Sequence, residues 1–185
     1  VFDYAGNLLH VLENQYDMIG SGLRPGDIDV DGDRAVVSVL NADTRANTVE
    51  RNTGTAYVFD LTTGEQVRKL LPSDYQSYNE EPGWTNDDQF GTHVEISGNR
   101  VVVGSREPER LYGYDLDNAE GFGMSEDWSV DGSVVGWVSD LDFDGDTVAS
   151  SHVGDPGSVY ILDWPVGATG VSGVAMTLSG DGGQL

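Results

Sequence analysis

One pattern recurs three times along this chain of 185 residues, and it restricts the possible fold more than any other feature. Each copy has apolar residues at every second position, then a glycine beside Asp or Asn, then a short run of β-branched or small residues. Alternation of period two predicts a strand, and glycine next to Asp or Asn supplies the positive φ angles of a tight hairpin turn. The three predicted hairpins span residues 28–38, 94–104 and 141–151.

A second motif, an apolar strand that ends in aspartate, follows each hairpin. Its aspartates are Asp60, Asp115 and Asp163, and Asp3 ends a truncated first copy, so the spacings are 57, 55 and 48 residues. One more apolar stretch follows each copy, which makes the repeating unit four short strands. Repeats of about 20 to 50 residues and slightly beyond indicate solenoids, propellers or arrays. Four antiparallel strands per unit favour the propeller.

The repeat divides the chain into a half blade over 1–14 and three blades, A over 22–71, B over 89–130 and C over 136–178. We therefore predict an all-β fold, a single β-propeller region of four-stranded antiparallel blades. The segments 28–31, 94–97 and 141–144 are the predicted innermost strands. Propellers close with about four to eight blades, so about three and a half blades indicate a fragment of a larger propeller or a small closed one. The alignment favours 174–181 as the outer strand of blade C, and hence the fragment.

The charge balance is the second informative feature. The formal net charge is −23, from 32 acidic and 9 basic residues, and Lys69 is the only lysine. Such charge density destabilises a compact state in dilute buffer, whereas molar salt shortens the screening length to about 3 Å. The composition is typical of a protein from a high-salt environment, although an ordinary acidic secreted domain is the alternative. Without a basic stripe, nucleic-acid binding is disfavoured.

Other absences in the sequence narrow the function classes. The chain has no cysteine, which excludes disulfides, thiol nucleophiles and thiolate metal sites. It also has no apolar run of about 18 residues, so we predict no membrane span. We expect any signal segment to have been removed or to lie outside this sequence.

Residues 54–65 and 89–105 carry a recognisable signature, GTAYVFDLTTGE followed by QFGTHVEISGNRVVVGS. Together they resemble FG-GAP repeats, the blades of integrin-α-type β-propellers, and the likeness is weaker over 1–40 and 110–165. Ser105-Arg106 departs from the family's Ala-Pro, Trp137-Val138 replaces Phe-Gly in blade C, and blade A lacks the Phe-Gly pair. The resemblance implies a seven-bladed, extracellular scaffold that binds a ligand or partner.

Two segments, 27–33 and 140–146, both read D-x-D-x-D-G-D, which matches the first half of a calcium loop. Integrin-type blades carry calcium loops, so the resemblance implies Ca²⁺ as a cofactor. However, Ala35 and Val148 stand where the ninth-position carboxylate belongs. The alternation also suits a strand that points its carboxylates out of one sheet face, which makes a solvated acidic face the alternative. The candidate calcium ligands are Asp27, Asp29, Asp31, Asp140, Asp142 and Asp144.

No motif assigns catalytic roles in this chain. The three histidines are isolated, and neither a metalloprotease helix motif nor a nucleophile elbow is present. The loop of residues 72–88 carries the aromatic residues Tyr75, Tyr78 and Trp84, which are candidates for partner binding. Packing of this loop over the blade edge is the alternative role.

The sequence thus predicts a non-catalytic binding, adhesion or assembly scaffold, outside the cell, on a cell surface or on a virion or filament. Its expected partner is a protein or glycan surface. The rival hypothesis is a propeller hydrolase that acts on a glycan or another extracellular polymer, with residues drawn from several blades. These two classes differ in turnover, which only the rival predicts.

Overall fold

The computed structural model describes residues 1–13, 25–40, 42, 54–73, 89–106, 109–118, 123–131, 138–152, 158–164 and 174–179. These residues form thirteen strands and one short 3₁₀ helix, Leu116–Asn118. The strands are β1 (Pro25–Asp31), β2 (Arg34–Val39), β3 (Thr55–Asp60), β4 (Gln66–Leu71), β5 (His93–Ser97), β6 (Arg100–Arg106), β7 (Glu109–Asp115), β8 (Gly123–Ser125), β9 (Trp128–Asp131), β10 (Val138–Asp144), β11 (Thr147–His152), β12 (Ser158–Asp163) and β13 (Val174–Ser179).

The strands assemble into three sheets, each of which starts from one of the predicted hairpins. The orders are β1-β2-β3-β4-β8 in the first sheet, β5-β6-β7-β9 in the second and β10-β11-β12-β13 in the third. All neighbouring strands are antiparallel except β4 and β8, which are parallel. The fold is therefore all-β with several antiparallel sheets, and none of the sheets formed by the described residues closes on itself.

Each hairpin turns through two residues that begin with a glycine in the left-handed region. Gly32, Gly98 and Gly145 have φ angles of 60°, 59° and 60°, which a side chain would disfavour. In the first hairpin, the turn pairs Asp31 with Arg34 and so sets the register of β1 and β2. The predicted inner segments lie in β1, β5 and β10, which occupy one end of their sheets.

The sheets pack face to face, with the second sheet between the other two. Alternation along β6 shows this directly, because Val101 and Val103 belong to the core shared with the first sheet, whereas Val102 belongs to the core shared with the third. Phe90 fills the first core and lies edge-on to Tyr112, with ring centroids 5.3 Å apart. The two cores are separate, so each inter-sheet interface has its own apolar interior.

The second core contains two tryptophans. Trp128 and Trp164 are 8% and 5% exposed and pack edge to face, with centroids 5.2 Å apart. Trp164 also stacks on Phe143 at 5.2 Å. Gly113 makes room for this packing, because a Cβ there would lie 2.0 Å from the Trp128 ring.

The apolar stretch after Asp115, predicted as the single fourth strand of blade B, contains two short strands instead, β8 and β9. β8 pairs with β4 of the first sheet, and β9 pairs with β7 of the second. At the other end, β13 pairs with β12, as the outer-strand alignment expected. In the predicted half blade, the described residues form a single antiparallel bridge between Phe2 and Leu8.

Candidate functional site

The predicted ligands Asp27, Asp29 and Asp31, here called the acidic row of β1, point from β1 toward β5. Each carboxylate accepts a hydrogen bond from a backbone amide of the second sheet. The Oδ2 atoms of the three aspartates lie 3.2 Å from Val94 N, 2.8 Å from Ile96 N and 2.7 Å from Gly98 N, in that order. Every bond joins residues 67 apart in the chain.

These bonds satisfy the free edge of an inner strand. β5 pairs only with β6 in its sheet, so one side of its backbone presents amides with no strand beside them. A carboxylate that accepts from such an amide forms a charge-assisted bond, stronger than one between neutral groups. The acidic row of β1 therefore joins the first sheet to the second along the whole length of β5.

Asp27, Ser38 and His93 come together at the start of β5, and their residue types are those of a catalytic triad. His93 Nδ1 lies 4.0 Å from Asp27 Oδ2. The Ser38 hydroxyl, however, is fully buried; it donates to the Gly91 carbonyl at 2.6 Å and accepts from the Asp27 amide at 2.8 Å. A nucleophile must reach a substrate, so this serine acts as a structural link between the first sheet and the segment before β5.

The second and third sheets are joined by a smaller set of polar contacts. Ser97, at the position of Asp31 in the repeat, accepts from the Gly145 amide at 2.9 Å. Arg100 forms an ion pair with Asp146 and lies over the Trp164 ring, with its guanidinium carbon 5.2 Å from the centroid. In both interfaces, the side chain at this position of the repeat therefore accepts a hydrogen bond from the next sheet.

Glu95 lies at the centre of the three inner strands. Burial and the neighbouring charge of Asp29 raise its pKa to about 8, and a hydrogen bond to Asp29 adds to the effect. Asp27 and Asp142 contribute further repulsion. At neutral pH Glu95 is therefore protonated and donates a hydrogen bond to the Asp29 carboxylate, which joins β5 to β1 a second time. Glu95 interrupts the aspartate pattern, so no motif in the sequence points to this residue.

The candidates Asp140, Asp142 and Asp144, here called the acidic row of β10, occupy the equivalent positions in the third sheet. All three are exposed. Between them, Leu141 and Phe143 are each 5% exposed and face the second sheet. Within the described part of the chain, the carboxylates of this row accept only one hydrogen bond, a local one from the Leu141 amide to Asp140 Oδ1 at 3.1 Å.

The acidic rows do not fit a calcium loop. A calcium loop wraps its carboxylates around one point, whereas successive aspartates of a row are two strand residues apart, or about 6.6 Å. Among the described residues, no group of three acidic or histidine side chains converges as a metal site would. The calcium hypothesis stays a prediction, which chelation tests.

The candidate partner-binding residues Tyr75, Tyr78 and Trp84 lie outside the described residues, as does Trp137. The three histidines lie on different elements: His10 contacts the Thr62 carbonyl at 3.0 Å, His93 begins β5 and His152 ends β11. Within the described part of the chain, no helix is long and apolar enough to cross a membrane.

Comparisons with known proteins return little for this chain. No protein-family model matches it, and no curated protein matches it. Among solved structures, the crystal structure of the computationally designed Ika4 protein is similar, with a TM-score of 0.49 and 16% identity. That alignment covers 86% of this chain and 74% of the designed one.

Proposed function

We propose that this chain is a non-catalytic binding or assembly scaffold, built from FG-GAP-like propeller blades. It acts outside the cell, on a cell surface, virion or filament in a high-salt environment, and it presents loops to a protein or glycan partner. In this proposal the three sheets are successive blades, with β1, β5 and β10 nearest the axis.

The observation that supports the proposal is that the acidic row of β1 is hydrogen-bonded to the second sheet. Its three carboxylates bind amides of β5, and the buried Ser38 hydroxyl binds the Gly91 carbonyl. Side chains that an enzyme would direct at a substrate are thus engaged in holding one sheet to the next. This is the behaviour of a rigid scaffold, whose recognition elements are loops.

One observation favours the rival hydrolase, the raised pKa of Glu95 beside Asp29. A protonated carboxyl next to a carboxylate is the pair that glycoside hydrolases use. Those enzymes hold the two carboxyl groups about 5 to 9.5 Å apart, because the sugar or a water molecule lies between them. Glu95 and Asp29 are hydrogen-bonded to each other, which leaves no such space. The pair is therefore better explained as an inter-sheet contact.

The high-salt part of the proposal is supported by the net charge of −23 and the single lysine. Lys69 is 7% exposed, so the described surface carries no lysine ammonium in free contact with water. Carboxylates dominate the surface instead, and they repel one another unless salt screens them.

Binding and turnover distinguish the two functions directly. The purified chain, in about 2 M NaCl to screen its charge, is applied to a glycan array and to polymer and ester substrates. We expect saturable binding without turnover, and binding should be lost in the loop variants Tyr75→Ala and Trp84→Ala. Hydrolysis of any substrate that persists in purified protein would refute the scaffold.

A matched control separates recognition by the loop from non-specific binding by exposed aromatic side chains. Tyr4→Ala removes a tyrosine that is fully exposed but lies outside the loop 72–88. This variant should bind as the unmodified chain does, with an unchanged melting temperature. Equal loss of binding in Tyr4→Ala and Tyr75→Ala would remove the loop from the proposal.

A further inference from the structure

The stacking of the sheets follows one rule at both interfaces. The apolar residues of an inner strand face the preceding sheet, as Val94 and Ile96 do in the first core and Leu141 and Phe143 do in the second. The acidic row of β1 and Ser97 of β5 accept hydrogen bonds from the following sheet, whereas Glu95 interacts with Asp29 of the preceding sheet as well. The stack is therefore directional, with an apolar side and a polar side on every inner strand.

The hydrogen bonds obey the same rule with a constant offset. In the aligned repeats, the side chain at one position accepts from the amide one position further along the next inner strand. Asp31 binds the amide of Gly98, and Ser97, at the same repeat position, binds the amide of Gly145. The two interfaces are thus built on one pairing scheme.

Among the described residues, two half-interfaces of this scheme are open, one on the first sheet and one on the third. On the first sheet, the apolar residues Ile28 and Val30 of β1 are 60% and 53% exposed. Apolar side chains of the N-terminal segment are also exposed, and this segment contacts the first sheet through His10, which is bonded to the Thr62 carbonyl. These exposed residues are Phe2, Leu8, Leu9 and Val11. On the third sheet, the acidic row of β10 is exposed.

The open halves are complementary. Asp31 and Arg34 flank the two-residue turn and pair with each other, so the amide of Val30 points away from β2. By the offset above, Asp142 would accept from that amide and Asp144 from the amide of Gly32. Asp140 would accept from the amide of Ile28, which now donates to its own neighbour Asp27 at 2.9 Å.

We propose that a second copy of this chain docks head to tail, with the acidic row of β10 in one copy accepting hydrogen bonds from the edge of β1 in the other. Ile28 and Val30 then pack on the third sheet as Val94 and Ile96 pack on the first. The proposal deepens the scaffold function and assumes the same stacked sheets. Its failure would leave the glycan and turnover results unaffected. A second copy is the chosen occupant because this chain carries both halves of the scheme.

The test is the oligomeric state in about 2 M NaCl, where charge repulsion between two acidic copies is screened. Sedimentation velocity over a concentration series should show association of the unmodified chain. The variant D140A/D142A/D144A, which lacks the acceptors, should remain monomeric. Val30→Pro should also remain monomeric, since proline removes the donor amide and is tolerated on an edge strand. Melting curves confirm that both variants are folded.

Mixing the two variants gives the sharpest result. The first variant keeps an intact β1 and the second an intact β10, so an equimolar mixture should form one heterodimer and nothing larger. The control E13A/E65A/E109A removes three exposed carboxylates elsewhere and should associate as the unmodified chain does. The proposal is overturned if the unmodified chain stays monomeric, if both variants associate normally, or if the mixture stays monomeric. Exchange protection of the Val30 amide in a monomer, lost in D140A/D142A/D144A, would identify closure within one chain and also overturn it.

Discussion

Replacing the acidic row of β1 tests the central structural claim, that these aspartates hold two sheets together. The variant D27A/D29A/D31A leaves the amides of Val94 and Ile96 without acceptors. A bond to a charged acceptor contributes about 1.5 to 3 kcal/mol, and solvent exposure lowers that value. Because the Asp31 bond is exposed and the Asp27 bond is long, we expect a total loss of about 3 kcal/mol.

The matched variant is D140A/D142A/D144A, which makes the same three substitutions at the same repeat positions. It removes the same number of charges, but its carboxylates accept only one local amide bond among the described residues. Its free energy of unfolding should change little or rise slightly. The difference between the two variants therefore isolates the amide bonds from the general charge effect.

Thermal melts in about 2 M NaCl, at a concentration where the chain is monomeric, measure both variants under constant screening. For a chain of this size, about 3 kcal/mol corresponds to a fall in melting temperature of roughly 6 to 12 °C. Equal falls in the two variants would show that the rows act through charge alone. No fall in D27A/D29A/D31A would show that the amide bonds do not stabilise the stack.

Three further predictions concern pH, salt and calcium. The pKa of Glu95 is raised from its ordinary value of 4.5 to about 8 in the folded state, so its contribution to stability is fully present below about pH 4.5 and is lost as pH rises through about 8. Glu95→Gln should flatten this fall in melts between about pH 4.5 and pH 8, and an unchanged slope would contradict the assignment. The melting temperature of the unmodified chain should rise strongly between about 0.1 M and 2 M NaCl, whereas agreement within a degree or two would remove the high-salt argument. Chelation with EDTA at fixed high salt should leave the melting temperature unchanged, because the described carboxylates do not converge on one point. A calcium site at a hundredfold excess over Kd would instead add about 2.7 kcal/mol, and a fall in melting temperature on chelation would reveal it.

The strands and hairpins were predictable because their causes are local. Alternating apolar residues and the turn glycines Gly32, Gly98 and Gly145 specify β1, β5 and β10 within a dozen residues each. The bonds from the acidic row of β1 join residues 67 apart, and no local pattern states which strand edge will lie opposite a carboxylate. The alternation indicated only that the aspartates share one face.

Two features went unrecognised for related reasons. Glu95 departs from the D-x-D-x-D pattern, so no motif points to it, yet burial and the neighbouring Asp29 raise its pKa to about 8. Met124 in β8 looked like part of the outer strand of blade B. Its pairing with Leu70 depends on where the second sheet brings the chain past the first, which only the assembled fold determines.

The crossing of β8 has a consequence for how the protein comes apart. After β7 of the second sheet, the chain forms β8, which pairs with β4 at the edge of the first sheet, and then returns to the second sheet as β9. Glu126, just after β8, accepts bonds from the Ser73 amide and hydroxyl at 2.7 and 2.6 Å, and the Tyr114 hydroxyl donates to the Leu71 carbonyl at 3.0 Å. The first two sheets are therefore connected by a shared strand and by side-chain hydrogen bonds, and they should open as one cooperative unit. The third sheet exchanges no strand with its neighbour among the described residues, so hydrogen exchange should find it opening first.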